Sequence, residues 1–186
     1  MPPEFDLVAE ARRNWEAVDW GRPDAMVAAI SIVRAQQIVL ARADAALAPF
    51  GLTFSRFEAL ALLSFSRRGA LPMGKIGARL QVHPTSVTNT VNRLERDGLV
   101  RRASSDGDRR TVLAEITPDG RRVVAVAARA LSAVGFGLEG LAPEELRRIH
   151  DAIVPLRRGA GDFSSQRRPI GRARWPAAQR RRRAPR

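Results

Sequence analysis

The sequence predicts a mainly α protein carrying one β-hairpin, and three observations predict it. Apolar residues recur at helical spacing over most of residues 4–156. Between residues 99 and 116 that period gives way to two β-prone segments around a Ser/Asp/Gly turn. Pro, Gly and Thr punctuate the chain at the places where helices begin and stop.

Residues 4–18 form a short helical pattern with Phe5, Val8, Ala11, Trp15 and Val18 near one stripe. Trp20-Gly21-Arg22-Pro23 breaks it. Asp24 is placed to cap a long alanine-rich helix that ends near Ala48, before Pro49 and Gly51. Its apolar stripe, with Met26, Ile30, Val33 and Leu40, suits close helix packing, either between two subunits or within one. A helix from about Thr53 is apolar nearly all round and is expected to be buried, with Glu58 as its lone acid. An acid in that setting reaches solvent, pairs with an arginine or serves a ligand.

Leu71-Pro72 reads as a short strand, and Met73, Ile76, Gly77 and Leu80 mark a two-turn helix. Gln81 and Val82 turn the chain into the stretch Val82–Val100. His83 fits a capping position and Pro84 the first helical position, where a missing N–H costs nothing. Val87, Val91 and Leu94 make the inner stripe. Thr85, Ser86, Thr88, Asn89, Asn92 and Arg93 fall on the outer side, and Gly98 ends the helix. Hydroxyls, amides and guanidinium groups read base edges and grip phosphates, so this is expected to be a DNA recognition helix.

The hairpin follows at once. Arg109 and Arg110 sit near its tip, where guanidinium groups can enter a narrow minor groove. Arg101 and Arg102 at its base serve either phosphates or an internal partner. Thr117 and Pro118 then start a helix that runs to Val134, and a last helix carries Leu146, Ile149, Ile153 and Leu156, with Pro155 disturbing its end. Two short helices joined by a tight turn, followed by a basic hairpin, make a winged helix-turn-helix. The fold class expected is therefore mainly α with an α+β wing and a helical dimerisation bundle.

Charge supports this placement. The net charge is +13, but residues 157–186 hold 11 arginines against one acid, Asp162. Residues 67–122 hold 12 bases against 6 acids, so the basic character of the body gathers around the recognition helix. The segment 157–186 lacks apolar periodicity and is expected to be disordered, adding salt-sensitive DNA affinity or none. No run of about 18 apolar residues predicts a membrane span, and the N-terminus does not read as a secretory signal. The chain has no cysteine, two histidines far apart in sequence and no phosphate-binding glycine loop. Catalysis, a metal site and a cofactor are not expected; a cytoplasmic location is.

The chain resembles the MarR family of bacterial transcription regulators from about Asp24 to Leu156. The resemblance rests on Val87-Thr88 through Arg93-Leu94-Glu95, Gly98-Leu99-Val100, Asp108-Arg109-Arg110, and Leu113 through Thr117-Pro118-Asp119-Gly120. It implies a homodimer on a pseudo-palindromic double-stranded operator, commonly a repressor, with recognition helices in the major groove and wings in the minor groove. It also implies that Asp108 and Arg110 brace the wing. The extra N-terminal helix is similar to the urate-responsive, PecS-like branch, which implies a small organic anion held by Trp15, Glu58 and Arg102. Thr90 stands where that branch has a second pocket arginine.

The organisation expected is thus an extra helix and break over 1–22, a winged helix-turn-helix domain over 23–156, and a tail over 157–186. Within the domain, dimerisation helices lie near 24–48, 118–134 and 143–156, around a DNA-binding module near 53–117. The alternative function is a nonspecific architectural DNA-binding protein driven by the basic tail.

Overall fold

The structure, a computed structural model, describes residues 4–105 and 108–163, without the side chains of Ser105 and of residues 108–110. In chain order the elements are α1 (Leu7–Ala17), α2 (Asp24–Leu47), α3 (Phe54–Phe65), β1 (Ala70–Pro72), α4 (Met73–Leu80), α5 (Pro84–Arg96), β2 (Val100–Ser105), β3 (Asp108–Ile116), α6 (Pro118–Ala133) and α7 (Pro143–Gly159). They fall into two units, one comprising residues 1–54 and 126–142, the other 55–125 and 143–186.

The first unit is built on α2. Asp6 caps α1 by accepting the Val8 N–H at 2.9 Å, and Trp15 meets Trp20 edge to face, ring centroids 5.3 Å apart. The expected Asp24 cap is not made. Asp24 lies inside the first turn of α2 and its carboxylate pairs with Arg22 at 3.1 Å and Arg12 at 3.6 Å. Two guanidinium groups within reach outcompete a single backbone N–H for that charge. At the other end of α2, the turn Gly135–Gly137 packs so closely that a Cβ on Gly137 would lie 2.8 Å from the Val39 carbonyl oxygen. Arg42 seals the contact through the Gly137 carbonyl at 3.1 Å.

Ala43 and Leu47 are buried, but every residue from Ala28 to Ile38 is exposed. This leaves Ile30, Val33 and Ile38 in water, Val33 at 52% exposure. The span Asp24–Phe50 is long and apolar enough, by length and composition alone, to cross a membrane. Arg34, Gln36 and Gln37 interrupt it, so it is not the unbroken apolar run of about 18 residues that a membrane span calls for.

The second unit holds the helix-turn-helix and the hairpin. Its core is Leu60, Leu63, Ile76, Val91, Leu94 and Val100, all essentially inaccessible. The burial expected around all of α3 holds on one side only, since Phe65 is 57% exposed. β1, β3 and β2 form an antiparallel sheet in that order, with Leu71 opposite Ala114 and Arg102 also in register with Ala114. The hairpin register shifts between Ser104 and Ser105, at its tip. α4 crosses α5 at Gly77, where a Cβ would stand 3.2 Å from the Val87 methyl.

α7 corrects the expected helix end and the expected onset of disorder at 157. The helix passes through Pro155 and runs to Gly159. Arg157 and Arg158 in its last turn favour the negative end of the helix, Arg157 pairs with Asp162, and both guanidinium groups lie over the Phe163 ring. The expectation for the remaining tail falls on residues 164–186, outside the described residues.

Candidate nucleic-acid interface

The second unit presents α5 with one face down and one face out. Val87, Val91 and Leu94 are buried beneath it, while Thr85, Ser86, Thr88, Asn89, Asn92 and Arg93 are all exposed. The helix begins and ends sharply. His83 accepts the Thr85 N–H at 3.3 Å, and Thr88 donates its hydroxyl to the Pro84 carbonyl at 3.1 Å. At the far end Gly98, at φ +72°, sends its N–H to the Glu95 carbonyl while the Leu99 N–H reaches the Leu94 carbonyl. This paired closure satisfies two orphan carbonyls and brings Leu94 and Leu99 into the core. The turn ahead of α5 runs through Gln81 at φ +54°.

Neighbouring elements are tied to α5 by ion pairs and hydrogen bonds. Arg56 on α3 pairs with Asp97 at 3.3 Å. Arg102 at the wing base donates to Glu95 at 2.6 Å and to the Asn92 side-chain oxygen, and the Arg102 backbone N–H adds a bond to Glu95 at 3.2 Å. Of the two uses open to Arg102 in the sequence, phosphate or internal partner, the second is the one observed. Arg101 is also engaged internally, with Glu115 at 2.9 Å. Arg93 is exposed and makes no ion pair among the described residues.

The side chains of Asp108, Arg109 and Arg110, the expected wing brace and groove contacts, lie outside the described residues; their backbone belongs to β3. The residues expected to hold a ligand are divided between the units. Trp15 is in the first, half-buried, with its indole Nε1 enclosed and without a hydrogen-bond partner. Glu58 and Arg102 are in the second. Glu58 and Thr90 line one cavity of about 180 Å³, closed by Ala59, Ile76, Val87 and Val91. Partial burial there raises the Glu58 pKa above the ordinary carboxylate value. Arg102 does not line that cavity. Among the described residues no group of three or more His, Asp or Glu side chains is arranged to hold a metal ion.

The MarR family pattern matches residues 50–111, from the start of α3 to the far arm of the hairpin. The crystal structure of Sco5413, a MarR family transcriptional regulator from Streptomyces coelicolor, is 54% identical in sequence. It superposes with a TM-score of 0.71 over 76% of this chain and 98% of that one. The chain belongs to the MarR family. Two further relatives of this MarR-family regulator are more distant. The HTH-type regulator YhbI of Bacillus subtilis is 27% identical over 122 residues, 63% of this chain and 78% of that protein. CouR from Rhodococcus jostii, solved bound to p-coumaroyl-CoA, is 27% identical with a TM-score of 0.59, over 73% of this chain and 92% of that one.

The joint between recognition helix and wing was the part of the site that sequence reasoning missed. Glu95 and Arg102 are opposite charges seven residues apart across a glycine stop, a spacing that a tight helix-to-strand turn folds together. Asn92, read only as an outward-facing contact, lies one helical turn before Glu95 and joins the same cluster.

Proposed function

We propose that this MarR-family regulator is a cytoplasmic homodimer that represses transcription from a pseudo-palindromic double-stranded operator and leaves it on binding a small organic anion. The observation that carries the reading is α5: six exposed hydroxyl, amide and guanidinium side chains on a helix whose opposite face is buried. Such groups match base edges and phosphates, and a helix so braced enters the major groove as a rigid element.

The second copy is the proposed cover for the exposed apolar run Ala28–Ile38 on α2, with α6 and α7 completing the dimerisation bundle. Two-fold symmetry then sets two α5 helices about one helical turn of DNA apart. Arg109 and Arg110 are assigned to the minor groove, and Asp108 with Arg110 to bracing the wing. For release, a carboxylate ligand competes with Glu95 for the Arg102 guanidinium. The ligand acts by binding the released arrangement more tightly than the DNA-bound one.

Footprinting on the protein's own upstream region tests the reading, using the full chain and a chain ending at Phe163. Both should protect the same short inverted repeat, the shorter one with a shallower salt dependence. Loss of the specific footprint with residues 164–186 would favour the nonspecific, tail-driven alternative.

A further inference from the structure

Asn92 is held in one orientation by a partner that can only donate. A guanidinium group carries N–H donors and no acceptor. The Arg102 group contacts the Asn92 side chain, so the amide oxygen must face it and the NH₂ must face away. The usual ambiguity in amide orientation is thereby removed. Glu95 fixes the guanidinium from its other side at 2.6 Å, and also accepts the Arg102 backbone N–H at 3.2 Å. Asn92 itself is exposed and shares the outward face of α5 with Thr85, Thr88 and Asn89, which stand seven, four and three residues before it.

An unconstrained asparagine recognises adenine with both ends of its amide, the oxygen accepting from N6 and the nitrogen donating to N7. Here the oxygen is turned toward the guanidinium, so its lone pairs face the clamp and the NH₂ faces outward. We propose that Asn92 is a donor-only, specificity-determining residue, set by Arg102 to favour guanine or thymine over adenine at one base pair of each half-site. Guanine offers O6 and N7 and thymine offers O4, all acceptors that the free NH₂ can meet without disturbing the clamp. Adenine at that position meets a single donor bond at N7 and an N6 amino group with no acceptor. The proposal rests on α5 being the base-contacting helix, and it assigns Arg102 a positioning role in recognition.

The test is a binding panel in which every base pair of a half-site is varied in turn, read for the wild type, Asn92→Ala and Arg102→Ala. Thermal melts serve as folding controls. The wild type should disfavour adenine about tenfold at one position. Asn92→Ala should level the preference at that position alone. Arg102→Ala frees the amide to turn, so adenine should gain there relative to guanine. If Arg102→Ala does not fold, Arg102→Gln removes the charge and again lets the amide turn. An adenine preference at the Asn92-dependent position overturns the proposal. So does a uniform loss of affinity in Asn92→Ala, or an unchanged profile on removing the guanidinium. A wild type that binds all duplexes equally would instead remove the underlying reading of α5.

Discussion

The Thr117 hydroxyl donates to the Gly98 carbonyl at 2.8 Å, joining the chain just before the hairpin to the chain just after it. The same oxygen accepts the Gly120 N–H at 3.0 Å, and the Thr117 N–H reaches the Leu99 carbonyl at 3.1 Å. One residue therefore closes the end of α5 and caps the start of α6. Thr117→Val keeps the shape and removes both side-chain bonds, so it should cost about 1–2 kcal/mol. Thr117→Ser should retain most of the stability. Urea midpoints of the three proteins decide; equal midpoints would show the hydroxyl to be idle.

Two glycines should respond to alanine in opposite directions. A Cβ on Gly120 would sit 2.1 Å from the Leu99 carbonyl oxygen, a backbone atom with no room to retreat. Gly120→Ala should therefore cost more than about 2 kcal/mol, through a forced shift of α6 from the hairpin base. Gly74, in the first turn of α4, has open space around it and an ordinary backbone. Gly74→Ala should stabilise by about 0.4–1 kcal/mol, because alanine loses less conformational freedom on folding. Thermal melts of both variants report the contrast.

Glu58 gives a pH dependence of defined sign. Its pKa is raised in the folded chain by partial burial, so folding disfavours the ionised form. Its contribution is full below the ordinary carboxylate pKa and is lost as pH rises through the raised value. Glu58→Gln should match the wild type in acid and become the more stable protein near neutrality. The gain stays below about 0.5 kcal/mol, since the carboxyl is largely in water and screened. Melting temperatures measured across that range test the sign. A variant less stable than wild type at neutral pH contradicts it.

A charge on the exposed α2 face should separate the copies without unfolding either. Val33 is 52% exposed and Ile30 is 40% exposed in the single chain, so glutamate at either site meets water there. Across a two-fold interface the same change buries two charges. Ile30→Glu and Val33→Glu should sediment as monomers with unchanged helical circular dichroism. Their operator affinity should drop by about 100-fold or more, as two half-sites cease to be bound together. Retained dimers would move the interface elsewhere.

The elements were legible where a local rule decided them. His83-Pro84 and Gly98 set the ends of α5, and the Ser/Asp/Gly turn between β-prone arms set the hairpin. The mainly α winged fold followed from these. Asp24 was misread as a cap because the sequence does not show that Arg12 comes within 3.6 Å of it. Gln81 at φ +54° carries no glycine or asparagine to announce a left-handed turn. The outward face of α5 was readable from its period, because side chains 3.6 residues apart share a side whatever surrounds them. The Asn92–Arg102–Glu95 cluster was not. It depends on how strand follows helix after Gly98, a matter of tertiary packing.

The closed joint between Gly98 and Thr117 also limits how this wing can change over generations. Both ends of the hairpin are tied to one another, and Val100 and Ile116 face each other at its root. An insertion there would break the Thr117 bonds, so length variation is confined to the tip, where the ladder already slips at Ser104 and Ser105. Even at the tip, a residue added to one arm alone has to be absorbed as a bulge, since a slip of the register would turn that arm's outward side chains inward. Related wings should therefore differ mostly by equal numbers of residues in the two arms, or by residues gathered in the turn, while the root and the α6 cap stay fixed.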